Sequence, residues 1–165
     1  MNMLNDPSMR EIVIDFCNEA DDLISQMDQA LNIVESDLSA SKELEKYGQL
    51  IDRIMGAAKS IGASDVATLS ELGKLIGYKS SQILDKPLVE VVVAILFDTL
   101  DMLKKMIKAL RDGNDASMRQ MNTKAFVTRL NWLSDKFKNI ERSSVALDGN
   151  LDQGSIDDLM KSLGL

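Results

Sequence analysis

Apolar residues recur at intervals of three and four along almost the whole chain, the spacing that keeps one face of an α-helix on a core. Gly-bounded clusters of β-branched residues, the mark of strands, are missing. The pattern predicts an all-α fold. A first helix opens at Asp6-Pro7, where a capping side chain precedes a proline suited to the first turn, and its stripe runs Ile12, Phe16, Ala20, Leu23, Met27, Leu31, Val34 to about Asp37. Ser39 and Ser41 offer N-caps for a second helix, with Leu44, Tyr47, Ile51, Ile54, Ala58 and Ile61 inward and Gly62 as its stop. Ser64 caps a third, which turns Val66, Leu69, Leu72 and Ile76 to the core.

Asp85-Lys86-Pro87 breaks the chain and starts a fourth helix through Leu88, Val92, Ile95, Thr99, Met102 and Met106 to Leu110. After a turn at Asp112-Gly113-Asn114, a fifth helix from about Asp115 to Glu141 aligns Met118, Met121, Phe126, Leu130, Leu133, Phe137 and Ile140. Short connections make consecutive helices antiparallel neighbours, so the expectation is a five-helix up-down bundle over residues 1–141. Val91, Val92, Val93, Ile95, Leu96 and Phe97 cover most of the fourth helix's circumference, which leaves two burials open: the centre of the bundle, or a homodimer through this helix. Residues 142–155, polar and glycine-containing, read as a flexible linker before a short amphipathic segment at 156–165.

Composition narrows the chemistry. A formal net charge of −7 has the wrong sign for neutralising phosphates, so nucleic acid and anionic membranes are not expected partners. The longest fully apolar run, Val91 to Phe97, falls far short of the roughly 20 residues that span a bilayer, and no basic region precedes an apolar leader, so a cytoplasmic protein is expected. The single cysteine, Cys17, can form neither an internal disulfide nor a multi-thiolate metal site. With His at 0, imidazole acid-base chemistry, His-dependent nucleophiles, imidazole metal ligation and histidine phosphotransfer are all excluded.

At the C-terminus Ile156, Leu159, Met160 and Leu163 stand at i, i+3, i+4 and i+7, an anchor stripe for helix-in-groove binding, while Asp157 and Asp158 suit the positive end of a helix dipole. A segment so short is poorly helical alone and orders on a surface, either a partner's or that of its own bundle.

Two stretches resemble proteins of bacterial chemotaxis. Phe16-Cys17-Asn18-Glu19-Ala20-Asp21-Asp22-Leu23 resembles the opening helix of the histidine phosphotransfer domain of CheA-type kinases, a five-helix bundle. The second helix resembles that family's signature of His, two residues, Lys, Gly and further small residues. Asp52 falls where the phosphorylated His belongs, Ile54 keeps an apolar position, Met55 replaces the Lys, and Gly56, Ala57, Ala58 and Gly62 match the small residues. The tail, Leu151-Asp152-Gln153 through Ile156-Asp157-Asp158-Leu159-Met160 to Ser162-Leu163-Gly164-Leu165, is similar to the C-terminal peptide with which CheZ phosphatases hold their regulator. These resemblances imply a CheY-type response regulator as partner. They also imply no cofactor of the chain's own, because Mg²⁺ and the aspartyl phosphate belong to the regulator.

Phosphatases of the CheZ and CheX families insert an acid and an amide, one helical turn apart, into the regulator's active site, where the amide orients water and the acid engages the regulator's lysine. Three pairs here have the spacing: Gln49/Asp52, Asp22/Gln26 and Asp15/Asn18. Glu45, Gln49, Asp52 and Gly56 project to one side of the second helix, opposite the Ile51/Ile54 stripe, as a docking face. Two functions stay open, a stimulator of regulator dephosphorylation and a noncatalytic adaptor that sequesters or localises the regulator. In either case a CheA-type kinase should leave the chain unphosphorylated on incubation with labelled ATP, and acid-labile, base-stable label on it would contradict this.

Overall fold

The computed structural model describes residues 3–113, Trp132 and Asp135, and among them there is no strand. Two single 3-10 turns, Met3–Asn5 and Pro7–Met9, lead into α1 (Arg10–Ser36), followed by α2 (Ser41–Ile61), α3 (Ser64–Ser80) and α4 (Lys86–Asp112). Two compact units are distinguished, Met1–Met121 and Asn122–Leu165. The first holds the four helices, and of the second only Trp132 and Asp135 are described, both helical. The rest of the expected fifth helix, the linker and the tail lie outside the described residues.

The helix boundaries follow from local chemistry, with three departures from expectation. Asp6 caps as expected, its carboxylate accepting the Ser8 N–H at 2.9 Å, yet what it caps is the Pro7–Met9 turn, and α1 proper begins at Arg10. Ala40, not Ser39 or Ser41, stands at the N-cap of α2, because Ser39 is engaged by the Asp37 carboxylate through its N–H at 3.0 Å. Ala63, not Ser64, holds that place on α3. Asp85 caps α4 by accepting from the Leu88 N–H at 3.4 Å. Gly62 and Gly113 end α2 and α4 in the left-handed conformation, φ 76° and 67°, that residues with a Cβ avoid.

Each helix packs antiparallel against its chain neighbours, and α4 closes the ring against α1. The α1 core is Val13, Phe16, Cys17, Ala20, Leu23, Ile24, Met27, Ala30, Leu31 and Val34. Ile12, expected on this stripe, is 48% exposed, because the buried seam starts one residue later, at Val13. On α4 one buried row is Val89, Val93, Leu96, Leu100, Leu103, Ile107 and Leu110, and of the expected stripe only Leu88 and Met102 are half-buried. Val92, Ile95, Thr99 and Met106 form a second buried row beside it, since α4 packs against both α1 and α3. Most of the apolar circumference of α4 is therefore spent inside the four-helix ring, with Val91 left 40% exposed. No described helix is long and apolar enough to cross a membrane.

Polar side chains tie the ends of α1 and α4. The Arg10 guanidinium donates to the carbonyl of Leu110 at 3.1 Å and to that of Arg111, covering carbonyls that the end of a helix leaves free. Arg111 in turn donates to Asn18 at 2.7 Å and pairs with Asp21. Beneath them the Cys17 thiol, pushed above its ordinary pKa by burial, points at the Ile107 carbonyl at 3.7 Å.

Glycines bring α2 and α3 into close contact. A Cβ on Gly77 would lie 3.2 Å from the Tyr47 ring and 3.3 Å from the Leu44 carbonyl oxygen; one on Gly48 would lie 3.2 Å from the Tyr78 ring. One on Gly73 would fall 2.6 Å from Ile51 Cδ1. Tyr47 is fully buried in this seam with a hydroxyl that has no hydrogen-bond partner among the described residues.

Two measurements check this packing. Gly77→Leu should lower the unfolding free energy by about 2 kcal/mol, because the backbone of α2 must retreat. Gly56→Ala, whose Cβ would meet nothing within 4 Å, should raise it by about 0.5–1 kcal/mol through helix propensity. Burial also pushes the Tyr47 phenol far above its ordinary value of 10.0, so the neutral ring is the form the fold retains. Its contribution is complete below that ordinary value and is lost as pH rises above it, because the unfolded chain ionises first. Urea midpoints should therefore fall above about pH 10, less steeply in Tyr47→Phe, and that variant should lose nothing at pH 7 because its hydroxyl made no bond.

Candidate functional site

The close approach of α2 and α3 builds the most articulated polar surface of the bundle. Along the edge of α3, Glu71, Lys74 and Tyr78 stand at i, i+3 and i+7 and meet α2 rung by rung. Lys59 Nζ lies 4.0 Å from Glu71, Lys74 Nζ lies 2.8 Å from Asp52 Oδ1, and the Tyr78 ring lies over Gly48. On the other flank of α2, Arg53 reaches Glu19 of α1 at 3.3 Å. Between these two borders runs the outward stripe Glu45, Gln49, Asp52, Gly56, at i, i+4, i+7 and i+11.

Glu45, Gln49 and Gly56 are exposed and Asp52 is partly so, which agrees with the expected single face. Gly56 leaves a bare spot one turn beyond Asp52, because nothing lies within 4 Å of where its Cβ would be. Met55 is half-buried. The carboxylate of Asp52 is not free, however: the Lys74 ammonium donates to it, with side-chain exposures of 32% for Lys74 and 44% for Asp52. An ion pair that wet contributes roughly 0–1 kcal/mol to stability, so this contact holds two side chains in place more than it holds the fold. The stripe thus presents an amide, two carboxylates and one ammonium within a few turns of helix.

The other acid/amide pairs differ in kind. Asp22 and Gln26 are both exposed on α1, and no contact joins them to the Asp52–Lys74 pair among the described residues. Asp15 and Asn18 are also exposed, but the Asn18 amide oxygen is occupied by the Arg111 guanidinium. Ile156, Asp157, Asp158, Leu159, Met160 and Leu163 lie outside the described residues. Among the described residues no group of three or more His, Cys, Asp and Glu side chains is arranged to hold a metal ion.

Lys74 is the site residue that reading for motifs misses, since it stands on a different helix from the stripe it completes. A signal for it does exist in the chain: Asp52 and Lys74 lie ten residues before and twelve residues after Gly62, at nearly the same level of an antiparallel hairpin folded there.

The sequence profile of a protein family described as Hpt domain matches residues 11–113, from the first turn of α1 to the C-cap of α4. No curated protein and no solved structure matches the chain significantly.

Proposed function

The chain belongs to the Hpt domain family, and on that footing we propose that it binds a CheY-type response regulator through its C-terminal peptide and stimulates the regulator's dephosphorylation in chemotaxis signalling. The family places it in phosphotransfer-related, two-component signalling, where Hpt domains interact with response regulators. The observation that carries the reading is a combination: the chain contains no histidine, yet α2 displays an exposed amide, a partly exposed carboxylate and a bare glycine along one stripe. A carboxylate at position 52 forms no stable phosphoramidate, so phosphate cannot be stored there as on a phosphohistidine. Gln49 and Asp52 can instead act on a phosphoryl group that the regulator carries, Gln49 by orienting the attacking water and Asp52 by meeting the regulator's lysine. Asp22 with Gln26 is the second candidate pair. The tail supplies affinity through Ile156, Leu159, Met160 and Leu163, and by tethering raises the effective concentration of a weak contact at Glu45 and Gly56.

A second reading, the noncatalytic adaptor, is favoured by one specific contact, the 2.8 Å bond that already occupies the Asp52 carboxylate. Phosphate release from a phosphorylated CheY-type regulator, with and without the full chain, separates the two. Gln49→Ala should slow the stimulated release about tenfold or more while tail-driven binding stays intact, because its amide acts in the transition state. Leu159→Ala should weaken binding about tenfold, and removal of residues 151–165 should abolish most of it. Equal release rates for the wild type, Gln49→Ala and Gln26→Ala would assign the adaptor role. Unchanged affinity without the tail would show that the tail does not bind the regulator.

A further inference from the structure

We infer that Lys74 makes the α2 face selective for the phosphorylated form of its regulator, an inference that rests on the regulator-binding reading and adds to it the residue that senses phosphate. The argument begins with charge. Glu45 and Asp52 put two carboxylates on the stripe, and an aspartyl phosphate adds about two further negative charges seated in an acidic pocket. Docking such a group against two carboxylates is repulsive unless a cation stands between them. Among the described residues, the cations paired beside the stripe are Lys46, Arg53, Lys59 and Lys74, and Lys46 is drawn along α2 to Glu43 at 3.9 Å. Arg53 is turned to α1 by Glu19, and Lys59 leans along α3 to Glu71 at 4.0 Å. The Lys74 ammonium alone is bonded to a residue of the stripe itself, at the turn between exposed Gln49 and bare Gly56.

The fold holds that ammonium in position. Gly73 and Gly77 flank Lys74 and bring α3 close against α2, so a lysine stem from α3 reaches the outer face of α2 and ends 2.8 Å from Asp52. Because the pair is partly exposed, opening it costs little, and the ammonium can turn from Asp52 to a phosphoryl oxygen a short distance away. The same movement frees the Asp52 carboxylate for the regulator's lysine. One ion pair within the chain is exchanged for two across the interface, and only a phosphorylated regulator offers the second. An unphosphorylated regulator leaves Lys74 on Asp52 and is held by the tail alone.

Affinities of the full chain for a CheY-type receiver domain, measured with Mg²⁺ and with or without beryllofluoride, test this. The wild type should bind the beryllofluoride form about tenfold more tightly, the size of one charge-assisted hydrogen bond. In Lys74→Met the ratio should fall below about twofold, and Lys74→Arg should retain most of the preference. Thermal melting of each variant reports whether the bundle is intact. A preference that persists in Lys74→Met, or no preference in the wild type although both forms bind, overturns the role of Lys74 and leaves regulator binding standing. If neither form binds, the regulator-binding reading itself falls, and this inference falls with it.

Discussion

The short distance between α2 and α3 is the constraint on which the rest of the site depends. Gly48 on one helix and Gly73 and Gly77 on the other remove the side chains that would hold two backbones apart, and the space is filled by the rings of Tyr47 and Tyr78 lying against glycine. A seam of this kind fixes register, because a shift of one residue brings a Cβ where only a hydrogen fits. It also carries a cost, since the buried Tyr47 hydroxyl is left without a partner among the described residues. The fold tolerates that group because the ring fills the crossing point, and burial keeps the phenol neutral.

From this register the polar surface follows. Lys59, Asp52 and Gly48 meet Glu71, Lys74 and Tyr78 in order, so the ion pairs on the edge report the same alignment that the glycines impose beneath. The pairs are too wet to hold the helices together; what they determine is where charge stands on the outer face. Around the ring, the clasps between α1 and α4 play a different part, because Arg10 satisfies helix-end carbonyls of α4 and Arg111 binds the Asn18 and Asp21 side chains of α1.

For catalysis on a phosphoryl group held by another protein, such a scaffold needs few parts. A phosphatase acting on a regulator that carries its own metal and acyl phosphate contributes only position and charge, and a rigid helix face supplies both. With no histidine in the chain, phosphate cannot be stored as a phosphohistidine, and the proposed function asks the α2 face only to act on a phosphoryl group that the regulator holds. In that proposal Asp52 must part from its neighbour on α3, Lys74, so the choice between catalyst and adaptor turns on how easily that one ion pair opens.

Much of this could be read from the chain alone. Periodicity of three and four located the four described helices, Gly62 and Asp85-Lys86-Pro87 marked helix ends, and the count of histidines excluded a phosphohistidine, because these are properties of local residues and composition. The stripe Glu45, Gln49, Asp52, Gly56 was equally legible, since helical geometry alone puts those positions together. Tertiary structure decided the rest. That a second row of α4 is buried beside the expected one, and that Ile12 stays outside while Val13 goes in, depends on where the neighbouring helices press. That Asp52 is bonded to Lys74 depends on a crossing distance set by glycines on both helices, and no pattern within either helix contains that distance. Periodicity states which face of a helix is turned inward, but a contact between two helices is a property of the pair.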